Sequence, residues 1–391
     1  MSPTEPSPTE PSPTEPSPTE PHRERTVDVL RALGIVGVVT GHWLVTAVVV
    51  DTVGWGVASP LRSLPALTPV TWVLQTLAPL FFAAGYAATA SLGRADRYLP
   101  WLRRRVDRLT RAVAYLVAFW LPLLLVLALT GTPFAVVRQI GWHVVSPLWF
   151  LGVLAALLAL TPLLVRSQRR GAIAAAVAPL AVVPLGIVAA DDLARFGPWS
   201  APAGMVVALG WAAVLCAWMV PYQFGVALAR GGLAGRGVAG GLVAVGAGAA
   251  VLLVVYADYP ASMVGGAGGR SNLDPPSMLQ MAFTAVQIGL FLLARPWLAR
   301  IAARPRVWSP VSAINRLAMP VYLWHQSALV LVILASATVA PMPGLVDAPS
   351  DPLWLVHRVC WLPVVVAVLA GLFVTVGRTR QPARSTSHPR E

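Results

Sequence analysis

The chain is predicted to be an all-α membrane protein, a polytopic helical bundle of about ten transmembrane helices with both termini in the cytoplasm. Of its 391 residues, 57% are hydrophobic and only 12% are charged, and the mean hydropathy is +0.69. Soluble domains carry about twice that charged fraction. Several apolar stretches exceed about 18 residues, which is the length that a helix needs to cross a bilayer.

The apolar stretches, taken in order, predict ten spans that are separated by short polar loops. Their bounds are close to 27–49, 70–92, 110–130, 146–165, 172–190, 203–221, 238–257, 277–295, 312–338 and 354–377. Most of the arginines fall in alternate loops, beginning before the first span and ending after the tenth, and the other loops are poor in arginine. Because cytoplasmic loops of membrane proteins carry an excess of positive charge, this alternation places both termini in the cytoplasm.

Polar segments flank the membrane domain, which is expected to cover 25–377. Residues 2–21 are four copies of SPTEP, in which proline recurs too often for a helix and no apolar residue is available for burial. The segment 1–24 is therefore predicted to be a disordered cytoplasmic tail. The polar, arginine- and serine-rich segment 378–391 is predicted to be a second disordered cytoplasmic tail.

The net charge of +13 reflects arginine alone, because the sequence contains no lysine. A basic chain can indicate nucleic-acid binding. Here the arginines fall in loops where membrane topology explains them, so no nucleic-acid partner is expected. Every glutamate lies in the SPTEP copies or at Glu24 or Glu391. Paired-carboxylate chemistry is therefore disfavoured, and histidine becomes the main candidate for catalysis.

The first span carries Arg31 and His42, two side chains that are costly to place in a bilayer. Ten residues separate them. They are therefore expected roughly 16 Å apart along the helix axis and on nearly the same face. Arg31 would lie near the cytoplasmic surface. His42 would lie deeper, at a depth shared with His325 of the ninth span, so that both histidines could line one cavity.

Each of these polar groups also has a purely structural interpretation. Either histidine can serve only to hydrogen-bond a neighbouring helix, and a zinc site made of the two would lack further ligands, so no metal is expected. Asp28 precedes Arg31 by one helical turn, which makes the two side chains neighbours. The Asp28 carboxylate either neutralises the arginine at the helix start or holds it toward the protein interior.

Several motifs, in a fixed order, resemble the acyltransferase-3 family of membrane acyltransferases. VDVLRALGIVGVVTGH at 27–42 resembles the opening pattern of that family, in which ten residues separate an arginine from a histidine. PLFFAAGY, RRRVDRLTR, PLWFLGVL and MPVYLWHQSAL resemble its later segments, at 79–86, 103–111, 147–154 and 319–329. The chain departs from the family at 76–79, where TLAP replaces the doubled glycine that often precedes the second-span aromatics.

The resemblance implies transfer of an acyl group, often acetyl, from acetyl-CoA or another cytoplasmic acyl-CoA. The acceptor is expected to be a hydroxyl on a carbohydrate, a cell-envelope polymer or a small metabolite. His42 takes the catalytic position of the family, as general base or acyl relay, and Arg31 would bind phosphate of the donor. No tightly bound cofactor is expected, and the protein would reside in the cell membrane.

Other residues combine an expected structural role with a functional alternative. Arg103, Arg104 and Arg105 either anchor the topology against anionic lipid or extend the donor-binding site. Tyr322 and His325 share a helix face and are candidates for a supporting or acceptor-side role. Trp149 either packs in the core or stacks on the acceptor.

Two further classes of function remain compatible with this sequence. A proton-coupled transporter or a flippase would also use buried histidine and arginine. The spans show no internal repeat, however, and such repeats are common in transporters. A non-catalytic membrane scaffold would leave the pairing of Arg31 with His42 unexplained.

Overall fold

A computed structural model of the protein describes residues 24–51, 54–188, 203–265, 271–339 and 342–378. The predicted all-α membrane bundle is confirmed, because nine helices in these ranges are long and apolar enough to cross a membrane. The two predicted tails lie outside the described residues except for Glu24 and Arg378, which belong to or adjoin terminal helices.

The described residues contain thirteen helices, a further helical segment at 184–188 and one small hairpin. The helices are α1 Arg25–Val45, α2 Pro60–Ser63, α3 Thr68–Leu74, α4 Leu77–Leu92, α5 Tyr98–Leu129, α6 Phe134–Val145, α7 Leu148–Ser167, α8 Ala172–Val177, α9 Ala203–Ala229, α10 Arg236–Tyr256, α11 Met278–Ala302, α12 Pro305–Val339 and α13 Pro352–Arg378. After α1, strand β1 (Ala47–Asp51) pairs antiparallel with β2 (Gly54–Ala58). Short 3-10 turns occupy Pro65–Leu67, Gln168–Arg170 and Ala178–Ala181.

The predicted fifth span, 172–190, is not one continuous helix, and this expectation was wrong in its detail. Pro179 and Pro184 interrupt it, because proline lacks the amide N–H of a helix and clashes with the preceding turn. Beyond the 3-10 turn, the helix resumes at 184–188. There Gly186 packs against Pro275, which lies in the connection between α10 and α11. The broken segment therefore still reaches the side of the bundle opposite the arginine-rich loops.

Other helix boundaries differ from the apolar pattern for local reasons. Helix α5 begins at Tyr98 rather than near 110, so the basic run at 103–111 forms its early turns. The second predicted span is divided between α3 and α4 at Gln75 and Thr76. Helix α6 occupies a stretch that was predicted to be a loop. In α5 the basic residues continue the helix beyond its apolar part.

Helix α4 lies inside the bundle, where it packs on α1, α7, α9 and α11. Two glycines permit its close approach to α9. A methyl group at Gly85 would collide with the backbone of Tyr222, and one at Gly225 would collide with the backbone of Phe82. Small residues at such contacts let the backbones of membrane helices approach closely. Helix α1 packs on α12 as well as on α4, and the site is built on that α1–α12 contact.

Candidate active site

The imidazole rings of His42 and His325 meet where α1 packs on α12. His42 Nδ1 lies 3.1 Å from His325 Nε2, and the ring centroids are 5.0 Å apart. His325 is fully buried. Trp43 ties the two helices together beside the pair, because its indole N–H donates to the main-chain carbonyl of His325 at 2.9 Å. The two histidines, which the sequence placed at a common depth, are thus in direct contact.

The hydrogen-bond partners of the two rings define the proton positions of the neutral pair. His325 Nδ1 lies 2.6 Å from the carbonyl oxygen of Tyr322, and a carbonyl oxygen can only accept. Nδ1 of His325 therefore carries its proton, and its Nε2 is the acceptor. His42 Nδ1 must then donate to that Nε2. The second nitrogen of His42, Nε2, retains its lone pair.

His42 also lines a cavity of about 400 Å³. The walls come from the last turns of α1, the segment from α2 to α4, the corner between α6 and α7, the loop before α11, and single residues of α12 and α13. Tyr322 is one of these, so it lines the cavity as well as accepting from His325. Most of these elements lie at the ends of helices that face away from the arginine-rich loops. The cavity therefore lies on the predicted outer side of the histidine pair.

Trp149 packs in the core, which is one of its two expected roles, and it also lines the cavity. It lines the cavity beside His42. Its ring also packs within the core, with its centroid 6.2 Å from that of Phe150 and 5.9 Å from that of Trp218. One face of this indole is thus held by aromatic neighbours while the side chain contributes to the cavity wall.

Gln75 is a cavity residue that the motifs did not indicate. It is 4% exposed, and its Oε1 accepts a hydrogen bond from the Leu77 amide at 3.1 Å. Its amide nitrogen Nε2 is buried and makes no hydrogen bond to any described residue. Buried polar atoms without a partner are uncommon in proteins. The available signal in the sequence was a lone glutamine within the apolar run TWVLQTLAP.

Arg31 occupies the other end of the same α1–α12 contact. Its Nε donates to Asn315 Oδ1 at 2.5 Å, and its Nη2 donates to Asp28 Oδ1 at 2.9 Å. Asn315 Nδ2 in turn donates to the main-chain carbonyl of Asp28 at 2.8 Å. The Arg31 side chain is still 31% exposed, so an approaching ligand can reach it. The structure brings Asp28 to Arg31 as expected and adds Asn315, which the sequence patterns did not indicate.

The three arginines at the start of α5 do not form one patch. Arg103 and Arg104 are exposed. Arg105 turns inward, where its guanidinium lies 4.6 Å from the centre of the Trp101 ring and bonds to the Ser91 hydroxyl. Its Nε is buried without a hydrogen-bond partner among the described residues. Arg103 and Arg104 therefore lie on the surface, whereas Arg105 belongs to the contact between α4 and α5.

The start of α1 is attached to the end of α11 by an ion pair. Glu24 Oε2 lies 2.8 Å from Arg295 Nη2, and the Glu24 carboxylate also accepts from the Thr26 hydroxyl. Burial by itself would raise the pKa of Glu24, but the hydrogen bonds from Arg295 and Thr26 outweigh it and hold the pKa below its ordinary value. The ion pair therefore joins the beginning of α1 to α11.

Across the ranges described above, no group of three or more histidine, cysteine, aspartate or glutamate side chains could hold a metal ion. The two histidines are hydrogen-bonded to each other instead.

These features define a multi-pass membrane protein in which a hydrogen-bonded histidine lines a cavity and an arginine lies further along the same helix. A family model described as an acyltransferase domain matches residues 24–377, nearly the whole chain. The chain therefore belongs to the acyltransferase-3 family, and it is a membrane acyltransferase. No curated protein and no solved structure matches the chain.

Proposed function

We propose that this protein is an O-acyltransferase of the cell membrane that moves an acyl group, most simply acetyl, from a cytoplasmic acyl-CoA. The acceptor is a hydroxyl of a carbohydrate, a cell-envelope component or a small metabolite that reaches the cavity from the outer side. The observation that carries this proposal is the contact of His42 Nδ1 with His325, made by a side chain that also lines a cavity.

His42 is the proposed general base. As the acceptor oxygen attacks the thioester carbonyl, its proton passes to His42 Nε2, and the new carbon–oxygen bond forms while the carbon–sulfur bond breaks. The proton then leaves His42 for the departing thiolate, which becomes the CoA thiol. Imidazole suits both transfers because it exchanges protons near neutral pH. An acyl relay through the same nitrogen is the alternative course.

His325 is the proposed positioning residue for His42. Its Nδ1–H is held by the Tyr322 carbonyl, so its Nε2 can only accept. This arrangement orients His42 and keeps the proton on Nδ1, and it also stabilises the imidazolium form once Nε2 has taken up a proton. Orienting groups of this kind support catalytic histidines in other hydrolytic and transfer sites.

Gln75 is the proposed donor for the oxygen that becomes negatively charged during attack. A tetrahedral intermediate places charge on the former carbonyl oxygen, and a fixed N–H donor in a dry site stabilises that charge. Gln75 lines the same cavity as His42, and its buried Nε2 amide makes no hydrogen bond to any of the described residues. It has therefore no competing hydrogen bond to give up.

Arg31 is the proposed contact for phosphate of the acyl-CoA. Asp28 and Asn315 orient its guanidinium, whose planar fork suits phosphate oxygens. Roughly 16 Å of helix axis separates Arg31 from His42, a distance that the extended pantetheine arm can bridge. A donor bound in this way would deliver its thioester to His42. Arg103 and Arg104, being exposed, are proposed to contact the same donor from the surface, and Arg105 to support that site from within.

The test is transfer of radiolabelled acetyl from acetyl-CoA by purified protein in nanodiscs, with a panel of hydroxyl acceptors and no ion gradient. We expect wild-type protein to form acetylated product. His42→Ala should lose about 10²–10⁴-fold in rate, the usual contribution of a general base, while its melting temperature stays close to that of wild type. Near-normal turnover of a folded His42→Ala variant would overturn the assignment of His42.

A further inference from the structure

We propose that, of the acceptor classes named above, the cavity beside His42 binds one whose hydroxyl is carried on an apolar body rather than a carbohydrate. This inference rests on the proposed function, because it names the acceptor class of the same site. It follows from the chemistry of the cavity wall, from the hydrogen bonds that the wall residues already make, and from the position of the cavity relative to Arg31.

Aliphatic and aromatic side chains form most of the cavity wall. They include Leu44 and Val45 of α1, Leu61 of α2, Val70 of α3, and Trp142 and Trp149 at the α6–α7 corner. The volume, about 400 Å³, lies in the range of small-molecule sites, which begins near 300 Å³. A wall of this kind favours apolar surface and offers little to a ligand with many hydroxyl groups.

The hydroxyl protons of Thr71, Ser146 and Tyr322 in the wall are already donated to the protein. The Thr71 hydroxyl donates to a main-chain carbonyl at 2.6 Å and accepts from a main-chain N–H at 3.0 Å. The hydroxyls of Ser146 and Tyr322 donate to main-chain carbonyls at 2.8 and 3.4 Å. A buried carbohydrate would find few partners here, and each of its unpaired hydroxyls would weaken binding.

The remaining polar groups of the wall suit one reacting hydroxyl. His42 can accept its proton, and the amide nitrogen of Gln75 makes no hydrogen bond within the part of the chain that the structure describes. Among the described residues, Asp274 is the only carboxylate that lines the cavity, and it is exposed on the outer loop. The cavity thus has polar groups for one reacting hydroxyl, and the rest of its lining is largely apolar.

The position of the cavity favours the acceptor over the acyl chain of the donor as its occupant. Arg31 lies toward the arginine-rich side of His42, whereas the cavity extends toward the outer loops. A donor held at Arg31 brings its thioester to His42 from the arginine-rich side. The molecule that fills the cavity, on the outer side of His42, is then the one that supplies the attacking hydroxyl.

The test uses reconstituted protein with acetyl-CoA held constant and two acceptor series, straight-chain primary alcohols from butanol to decanol and polyols or monosaccharides of equal carbon number. We expect kcat/KM to rise about fourfold for each added methylene until the cavity is filled, as apolar burial predicts. The saccharides should react more slowly than alcohols of the same size. This comparison needs no variant, so it does not depend on the folding of a mutant.

A matched pair of variants locates the effect in the cavity. Val70 lines the cavity, whereas Val73 lies one turn further along α3, is 73% exposed and does not line it. Val70→Trp should lower kcat/KM for the longest alcohols by more than about tenfold, because two or more methylenes no longer fit, and should leave butanol nearly unchanged. Val73→Trp should behave as wild type for every alcohol.

Three results would overturn the inference, and they separate it from the proposed function. Faster acetylation of saccharides than of equal-sized alcohols would overturn the inference alone. The same holds if Val70→Trp changes the dependence on acyl-CoA chain length but leaves the alcohol series unaltered, because the cavity then holds the acyl chain. Failure to acetylate any acceptor would overturn the proposed function, and the inference with it.

Discussion

His325 accepts a hydrogen bond from His42 across the α1–α12 contact, with 3.1 Å between the two ring nitrogens. Because His325 Nδ1 donates to the main-chain carbonyl of Tyr322, His42 is the donor and His325 the acceptor in the hydrogen bond between the two rings. Asn315 and Arg31 repeat this cross-helix pairing toward the arginine-rich side. Helix α12 therefore supplies one fixed partner for each of the two polar residues that distinguish α1.

Replacement of His325 tests its role as a positioning residue. We expect His325→Leu to lower kcat by about 10²-fold with little change in either KM, because His42 loses its orienting acceptor. His325→Gln should recover part of the loss, since its amide oxygen can accept from His42. Steady-state kinetics with both substrates provide the measurement. Trp43→Phe removes a neighbouring helix–helix hydrogen bond and serves as control; an equal loss of kcat in that variant would indicate a packing effect.

Loss of the Gln75 amide should affect the chemical step more than substrate binding. Gln75→Leu is expected to lower kcat by about 10²–10³-fold, the usual cost of removing one oxyanion donor. Single-turnover measurements with saturating acetyl-CoA would detect it. Gln287→Leu is the matched control, because Gln287 donates to the main-chain carbonyl of Gln75 at 2.6 Å and does not line the cavity. Unchanged kcat in Gln75→Leu would refute the assignment.

Substitutions at Arg31 and Asn315 should act on the acyl-CoA donor. Arg31→Ala is expected to raise the donor KM by about 10–100-fold, which corresponds to a lost charge-assisted hydrogen bond, and to change the acceptor KM much less. Asn315→Ala should produce a smaller shift of the same kind, because it only loosens the guanidinium. Equal increases in both KM values would instead indicate that Arg31 supports the fold. Arg103→Gln, at an exposed position, gives the comparison for a surface contact.

The contact between Glu24 and Arg295 should make stability depend on acid pH. The pKa of Glu24 is lowered in the folded protein, so the ion pair contributes fully above the unfolded-state value of 4.5 and is lost as the pH falls through the folded-state pKa. The contribution should be less than about 1 kcal/mol, because the pair is partly solvated. As the pH is lowered from 7 to 3, the melting temperature should fall less steeply in Glu24→Gln than in wild type. Parallel curves for the two proteins would contradict this account.

Local interactions explain why much of the fold could be predicted. A membrane span is recognisable from its length and apolarity, and the alternation of arginine in the loops is equally visible. The contact of Asp28 with Arg31 was predictable because residues three apart are neighbours on any helix. The break between α3 and α4 at Gln75 could not be predicted from the sequence, since an interrupted helix inside a bundle has the same apolar composition as a continuous one. The interruption of 172–190 had a visible cause in Pro179 and Pro184.

The sequence by itself determined that the chain is an apolar helical bundle, that α1 presents Arg31 and His42 on one face, and which family it belongs to. Each of these depends on composition, on helical periodicity or on an ordered set of motifs. Only the tertiary structure decided that His325 and Asn315 face those two residues and that Gln75 shares a cavity with His42. These partners lie far apart in the chain, and the packing of α12 on α1 and of α3 beside them sets their distances.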